Sequence, residues 1–427
     1  MTKRIDPVLT RRAFARVLAS TAGFAALPAF AQDPVQTSSI ATAPAKAGQK
    51  LATQTEILVG RNEMPMISPG SVEFTYAAIA MYEEFVAGGG WPELPAKSLK
   101  KGAKGDPVIA LRHRLVAENY LPFESLTGEN ANLFDEELED AVRAFQINHG
   151  VLPSGLAGEK TLAALNVSAD TRLNMLRENA TRIEAYVDGL GDRYILVNIP
   201  GTQLETVQNN TVYSRHNVVV GKLERPSPTL ISTVSDINFN PYWKIPASIV
   251  ERDIVPNYLK DPSYLAKMQI RIFDGVDGPE IDPSLIDWPS TPPERYFFRQ
   301  EPGPHNSLGT VKINFPNKHM VYMHDTPHRE SFGRNVRFES SGCIRVDQVK
   351  TVVDWILQSE PDVDLAQIAA VEESVEPFDL KINNGPGVRF MYLTAWATED
   401  GRVNFRDDIY ALDGTGFILG QPEPKTF

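Results

Sequence analysis

The spacing of apolar positions divides the chain into a helical first part and a strand-rich second part. From Glu56 to Val86 apolar residues recur at helical intervals. Ser71 is the N-cap candidate of the clearest stretch, Tyr76, Ile79, Ala80 and Tyr82 follow, and Gly88-Gly89-Gly90 ends it. Residues 98–166 predict a compact three-helix unit. Val108, Leu111, Leu115 and Val116 share one face of its first helix. Asp135 caps a second, whose buried face carries Leu138, Ala141, Val142 and Phe145, and Thr161, Leu162 and Leu165 begin a third. Residues 170–190 predict one further helix. The period then shortens to two: Tyr194–Ile199, Asn217–Gly221 and His319–His324 are apolar, β-branched runs bounded by turn residues, and read as strands. Between the second and third lies a Pro-rich region, about 222–304, too long for a hairpin and expected to form a lid or flap. A helix at Gln348–Leu357 follows, and 378–411 return to strand character.

These elements predict an α+β multidomain chain. A helical scaffold in two parts, 51–97 and 167–191, brackets the unit at 98–166, and a mostly β domain with a capping insertion occupies 192–427. The length, 427 residues, agrees with several domains. The first 31 residues read as a targeting segment: Arg11-Arg12 precede a weakly apolar run that ends in Pro28-Ala29-Phe30-Ala31, an A-x-A-like cleavage site. They resemble a twin-arginine export signal, with an ordinary secretory signal or an uncleaved amphipathic helix as alternatives. Residues 32–50, rich in Pro, Ala, Ser and Thr without periodicity, read as a flexible tether. No other run approaches the length of a membrane span.

Charge and cysteine usage narrow the chemistry. A net charge of −12 argues against nucleic acid or anionic membrane as a primary partner. The one cysteine, Cys343 in the stretch ESSGCIRV, excludes an intrachain disulfide framework and any Cys-rich zinc module. It is either an inert buried thiol or a reactive one. A reactive thiol needs a base, and four of the seven histidines fall between 305 and 328. His324 ends an apolar strand and enters the turn Asp325-Thr326-Pro327. Gly342 and its small neighbours leave backbone N–H groups free to face a carbonyl as an oxyanion hole. No helical histidine pairing supports a metal site, and a thiol with its own histidine base needs no metal or cofactor.

Two longer stretches carry a resemblance. LKKGAKGDPVIALRHRL with LFDEELEDAVRAFQINHGVLPSGLAGEKTLAAL is similar to the three-helix peptidoglycan-binding domain, as a binder or as a spacer that has lost affinity. HDTPHRESFGRNVRFESSGCIRV resembles the signature of the YkuD-type L,D-transpeptidases, in their large periplasmic branch with an inserted peptidoglycan-binding domain. VVVGKLERPSP, FNPYWKIPASIV, QEPGPHNSLGTVKINFPN and YLTAWATEDGRVNFRDDIY extend the resemblance.

The resemblance implies a mostly β catalytic domain and a set of roles. Cys343 matches the nucleophile and His324 the general base. The backbones of Gly342 and Cys343 match the oxyanion hole, and Arg345 matches an arginine that meets anionic substrate groups. Tyr322 matches an aromatic that lines the donor site. Asp325 orients the base through its main chain or its side chain, and Trp243, on the flap, either contacts substrate or packs within the flap. Many relatives have histidine where this chain has Ser341, which removes a rival base. The implied reaction, in the periplasm, is transfer of a stem tetrapeptide with loss of D-alanine to an amine of a second stem, giving a 3–3 cross-link. Peptidoglycan peptides and glycan are the implied partners. Hydrolysis by the same site, transfer to a protein amine and non-catalytic wall binding are the rivals.

Overall fold

A computed structural model describes residues 56–57 and 64–415, apart from 289 and 335. The expected signal at 1–31 and tether at 32–50 lie outside the described residues. No helix among the described residues is long and apolar enough to cross a membrane.

The first long helix, α1 (Ser71–Ala87), starts one residue earlier than its sequence suggests. Gly70 occupies the N-cap, while Ser71 Oγ accepts from the Ser68 N–H at 2.9 Å. Three helices, α2 (Asp106–Ala117), α3 (Glu136–Asn148) and α4 (Glu159–Leu165), enclose a separate core of Val108, Leu111, Leu115, Phe134, Leu138, Val142, Phe145, Leu162 and Leu165. Asp135 caps α3 by accepting from the Leu138 N–H at 3.0 Å. The helix α5 (Ala169–Val187) packs against α1 through Leu173, Leu176 and Ala180.

This module is fastened to the rest of the chain at the end of α3. The His149 ring stacks on Phe145 at 3.7 Å and on Phe405 at 5.4 Å, and the neighbouring Arg406 donates to the Asn148 carbonyl at 2.8 Å. Burial, and then the nearby Arg172, push the His149 imidazole well below its usual range. Burial likewise pushes His216 down to about 4, and burial followed by Arg345 pushes His324 down to about 3. All three take up a proton more readily when unfolded, so their stabilisation is complete above about pH 6.5 and is lost as pH falls through the folded values. Each adds up to about 1.4 kcal/mol per pH unit in that window. The melting temperature is expected to fall steadily from pH 6.5 to 4.5; a flat profile there would refute this account.

The second part is built on one large sheet. Its strands are β1 (Glu56–Ile57), β2 (Arg193–Asn198), β3 (Gln203–Gln208), β4 (Thr211–Gly221), β5 (Leu230–Thr233), β6 (Asp236–Phe239), β10 (Val311–Asn314), β11 (Met323–His324), β12 (Phe338–Ser340), β13 (Ile344–Val346), β14 (Phe378–Lys381) and β15 (Gly387–Met391). They run in the order β14-β6-β10-β11-β13-β4-β3-β2-β15-β5, with β1 and β12 also paired to β4. Three strands lie outside this sheet in a small flap, β7 (Trp243–Lys244), β8 (Ile270–Phe273) and β9 (Phe297–Gln300), and two in a C-terminal hairpin, β16 (Ala395–Ala397) and β17 (Val403–Phe405). A helix, α6 (Val349–Leu357), presses Val352, Val353 and Ile356 onto the sheet core.

Three sequence expectations need correction. Glu56–Ile57 does not start a helix; it pairs with Arg215 and Ser214 of β4. The insertion is shorter than 222–304, because LISTVSDINF supplies β5 and β6 of the main sheet, where Ile237 and Phe239 join the core. The separate flap spans 243–300 and has its own core of Ile245, Val250, Ile254, Leu265, Ile270, Ile272, Ile286 and Phe298. Finally, His319–His324 is strand only at Met323–His324. Asn317 Oδ1 accepts from the N–H groups of His319 and Val321, both at 3.1 Å, which holds a loop with Met320 at φ 55°.

Candidate active site

Strand register builds the site. Lys312 of β10 pairs with His324 of β11, and His324 pairs with Arg345 of β13. Paired side chains share a face, so these three stand in a row across the sheet. Their neighbours Ile313, Met323 and Ile344 point the other way into the core. The sequence alternates for this reason: one face must exclude water and the other must carry the polar groups. Tyr322 and Cys343 stand one step before the Met323–Ile344 pair, joined where the Ile344 N–H donates to the Tyr322 carbonyl at 3.0 Å.

The His324 imidazole is buried, and its Nδ1 donates to the Asp325 carbonyl at 2.6 Å. A carbonyl only accepts, so this bond fixes the proton on Nδ1 and leaves Nε2 as the acceptor. The Asp325 side chain is engaged elsewhere. Its Oδ2 accepts from the Thr310 N–H at 3.0 Å and hydroxyl at 2.9 Å, and its Oδ1 accepts from Arg329 at 3.1 Å. Gly309 (φ 61°) makes room for this carboxylate, since a Cβ there would lie 2.5 Å from it.

Cys343 is half-buried at the end of a tight turn, Ser340-Ser341-Gly342, between β12 and β13. Gly342 sits at φ 112°, in the left-handed range that favours glycine. Its carbonyl accepts from Ser227 Oγ at 2.8 Å, while Ser340 Oγ accepts from the Gly342 N–H at 3.1 Å and donates to the Cys343 carbonyl at 2.6 Å. The Gly342 N–H is therefore taken, contrary to the expectation that it is free. The Cys343 N–H has no hydrogen-bond partner among the described residues. Burial pushes the thiol up; the contact with Tyr322, and then the charges of Lys312 and Arg345, oppose this. Thiol and imidazole are thus both neutral at rest, and no direct hydrogen bond joins them among the described residues.

Tyr322 links the nucleophile to the flap. Its ring meets His324 edge-on at 5.6 Å, and its hydroxyl makes polar contact with the Trp243 indole and the Cys343 thiol. Trp243 also packs against the flap core, so it serves both surfaces. Arg225, after β4, makes a second link: it donates to Ser341 Oγ at 2.9 Å and to Asp253 of the flap at 2.8 Å. The sequence reading missed Arg225, Lys312 and Thr310. Lys312 had a detectable signal, the alternation VKIN, but only register shows that it stands beside His324. His305 has its carbonyl bound by Gln300 at 2.9 Å, on the flap side.

Similarity to known proteins follows the same division of the chain. Residues 192–368 match the family model described as the L,D-transpeptidase catalytic domain, YkuD, and residues 104–165 match one described as "Putative peptidoglycan binding domain". A curated protein of Haemophilus influenzae, named "Putative L,D-transpeptidase", is 33% identical over 220 residues. That match covers 51% of this chain and 44% of the relative, so less than half of the relative's length is spanned. Among solved structures, an L,D-transpeptidase from Xylanimonas cellulosilytica is 14% identical, with 70% of this chain and 98% of that chain covered and a TM-score of 0.22. Another from Stackebrandtia nassauensis is 12% identical, with 69% and 94% covered and a TM-score of 0.25. Likeness at those scores adds nothing to the assignment, which rests on the domain matches. Residues 192–368 are thus similar to the YkuD L,D-transpeptidase catalytic domain, and residues 104–165 ahead of them to a putative peptidoglycan-binding domain.

Proposed function

We propose that this protein is an exported cysteine acyltransferase that joins peptidoglycan stems by 3–3 cross-links. The observation that carries the reading is the placement of Cys343 after a left-handed glycine, immediately before the strand that pairs with that of a histidine whose Nδ1 is bound and whose Nε2 is an acceptor. In this reading the thiol of Cys343 gives its proton to His324 Nε2 as sulfur attacks the third-residue carbonyl of a tetrapeptide stem. The oxyanion takes the Cys343 N–H. His324 then returns the proton to the departing D-alanine nitrogen, the C–N bond breaks, and a thioester remains. An amine of a second stem, such as that of diaminopimelate, attacks the thioester and loses its proton to His324. The new amide forms and the thiol is regenerated.

The main-chain carbonyl of Asp325 orients the base in this scheme, and the Asp325 carboxylate holds that turn through Thr310. Tyr322 lines the donor site, Arg345 meets an anionic group, and the flap carrying Trp243 limits the entry of water. The domain at 104–165 holds the enzyme against glycan. Purified protein incubated with tetrapeptide muropeptides is expected to give cross-linked dimers and free D-alanine. Tripeptide monomers with no dimers would replace transfer by hydrolysis, and unchanged muropeptides would refute catalysis on this bond.

A further inference from the structure

Two cations on the site face have carboxylates in the vicinity, Asp236 and Asp379 for Lys312 and Glu339 and Glu330 for Arg345, but none in direct contact. Lys312 and Arg345 are both half-buried, and neither makes an ion pair or a hydrogen bond among the described residues. The carboxylates nearest to them are engaged: Asp236 accepts from Asn314 at 2.6 Å and from Ser235 at 2.7 Å, and Glu339 pairs with Arg334 at 2.5 Å. The Lys312 ammonium rests instead over the Tyr322 ring, 4.4 Å from its centroid. Half-burying an ammonium without a carboxylate in direct contact is unfavourable, and a cation–π contact offsets it only in part. Such an arrangement fits an anion that arrives with the substrate.

The order of the strands says which anion. Across the sheet the row reads Lys312, His324, Arg345, with Cys343 on the Arg345 side. In the acyl transfer, the group that leaves departs from His324, because that residue protonates its nitrogen. The body of the donor stays with Cys343. Whatever is attached to the departing nitrogen therefore extends past His324 toward Lys312, one strand spacing of about 4.8 Å beyond. On the departing alanine, a carboxylate stands two bonds from that nitrogen.

We propose that Lys312 is the counter-ion for the carboxylate of the amino acid that leaves, so that the site selects stems ending one residue after the bond it breaks. This assignment rests on the transpeptidase reading above. It gives Lys312 a part distinct from that of Arg345, which faces the retained side of the donor. The same position serves the incoming amine when that amine, like the departing one, sits on a carbon that bears a carboxylate. Bound carboxylate also offsets the positive field that Lys312 and Arg345 both exert on His324, so an occupied site holds a more basic imidazole than an empty one.

The test compares a stem tetrapeptide with the same peptide carrying a C-terminal carboxamide. The release of alanine or alaninamide is measured for the wild type, Lys312→Met, Lys312→Gln and Lys312→Arg. The wild type is expected to favour the acid at least about tenfold in kcat/KM, the range for one hydrogen bond to a charged group. In the Met and Gln variants the acid-to-amide ratio should fall toward one, mainly through KM for the acid. The Arg variant should keep most of the preference. A wild-type preference that survives in both neutral variants overturns the role of Lys312 while leaving the transpeptidase reading intact. No release from either peptide by the wild type overturns both. Thermal melts of each variant identify any that fail to fold, and the three substitutions together keep the comparison decisive.

Discussion

Alanine in place of Cys343 is expected to lower muropeptide turnover by at least about 10⁴-fold, with binding to intact sacculi unchanged. The chain has one cysteine, so no second thiol can substitute. The side chain is small and half-buried, and the turn around it is held by Ser340 and Ser227 through backbone groups that the substitution leaves in place. Loss of activity should therefore come without loss of fold. Serine at 343 should be nearly as inactive, because a base pushed down to about 3 cannot activate a hydroxyl, which is far less acidic than a thiol. Separation of the products by chromatography, together with a sacculus pull-down, reads both halves of the expectation. Turnover above a hundredth of the wild-type rate in Cys343→Ala would rule out the thiol mechanism.

Glutamine in place of His324 is expected to cost about 10³-fold at neutral pH, the range of a positioned general base. The pH profile carries the sharper information. In the wild type the imidazole must be neutral to act, and its folded value of about 3 lies below the usual one near 6.5. Lowering the pH from 7 to 5 should therefore leave kcat/KM nearly flat, with no histidine limb near 6.5. Without His324 only the ionised thiol attacks, and burial pushes that thiol upward. The variant's rate should climb about tenfold per pH unit through the neutral and mildly alkaline range. A wild-type rate that halves near pH 6.5 would show that the imidazole is far more basic than its buried setting allows.

The sequence made the helical module legible because its periodicity and caps are local. Asp135 does cap α3, and Val108, Leu111, Leu115, Leu138 and Phe145 do form the core. The pair Cys343 and His324 was legible for another reason: both lie in one short stretch whose residue types are those of a thiol, a base and a turn. Long-range pairing was hidden. Nothing near LISTVSDINF says that it pairs with β15 on one side and with β10 and β14 on the other, so the prolines around it read as an insertion. Nor does local sequence show that the Gly342 N–H is claimed by Ser340, two residues earlier, while the N–H of Cys343 has no partner among the described residues. Lys312 is the plainest case. It is an unremarkable lysine in a strand until β10 is set against β11.

Arg225 has a consequence for how the site opens. One guanidinium holds both Ser341, two residues before the nucleophile, and Asp253 on the flap. Raising the flap is then an exchange of partners for one charge, unlike the swing of a free hinge. The Asp253 end is the ionic one, a carboxylate whose side chain is 43% exposed, whereas Ser341 offers a neutral hydroxyl. It is therefore the end that salt weakens first. Ionic strength would act on admission to the site while leaving the nucleophile turn anchored, a gate that loosens from its rim inward.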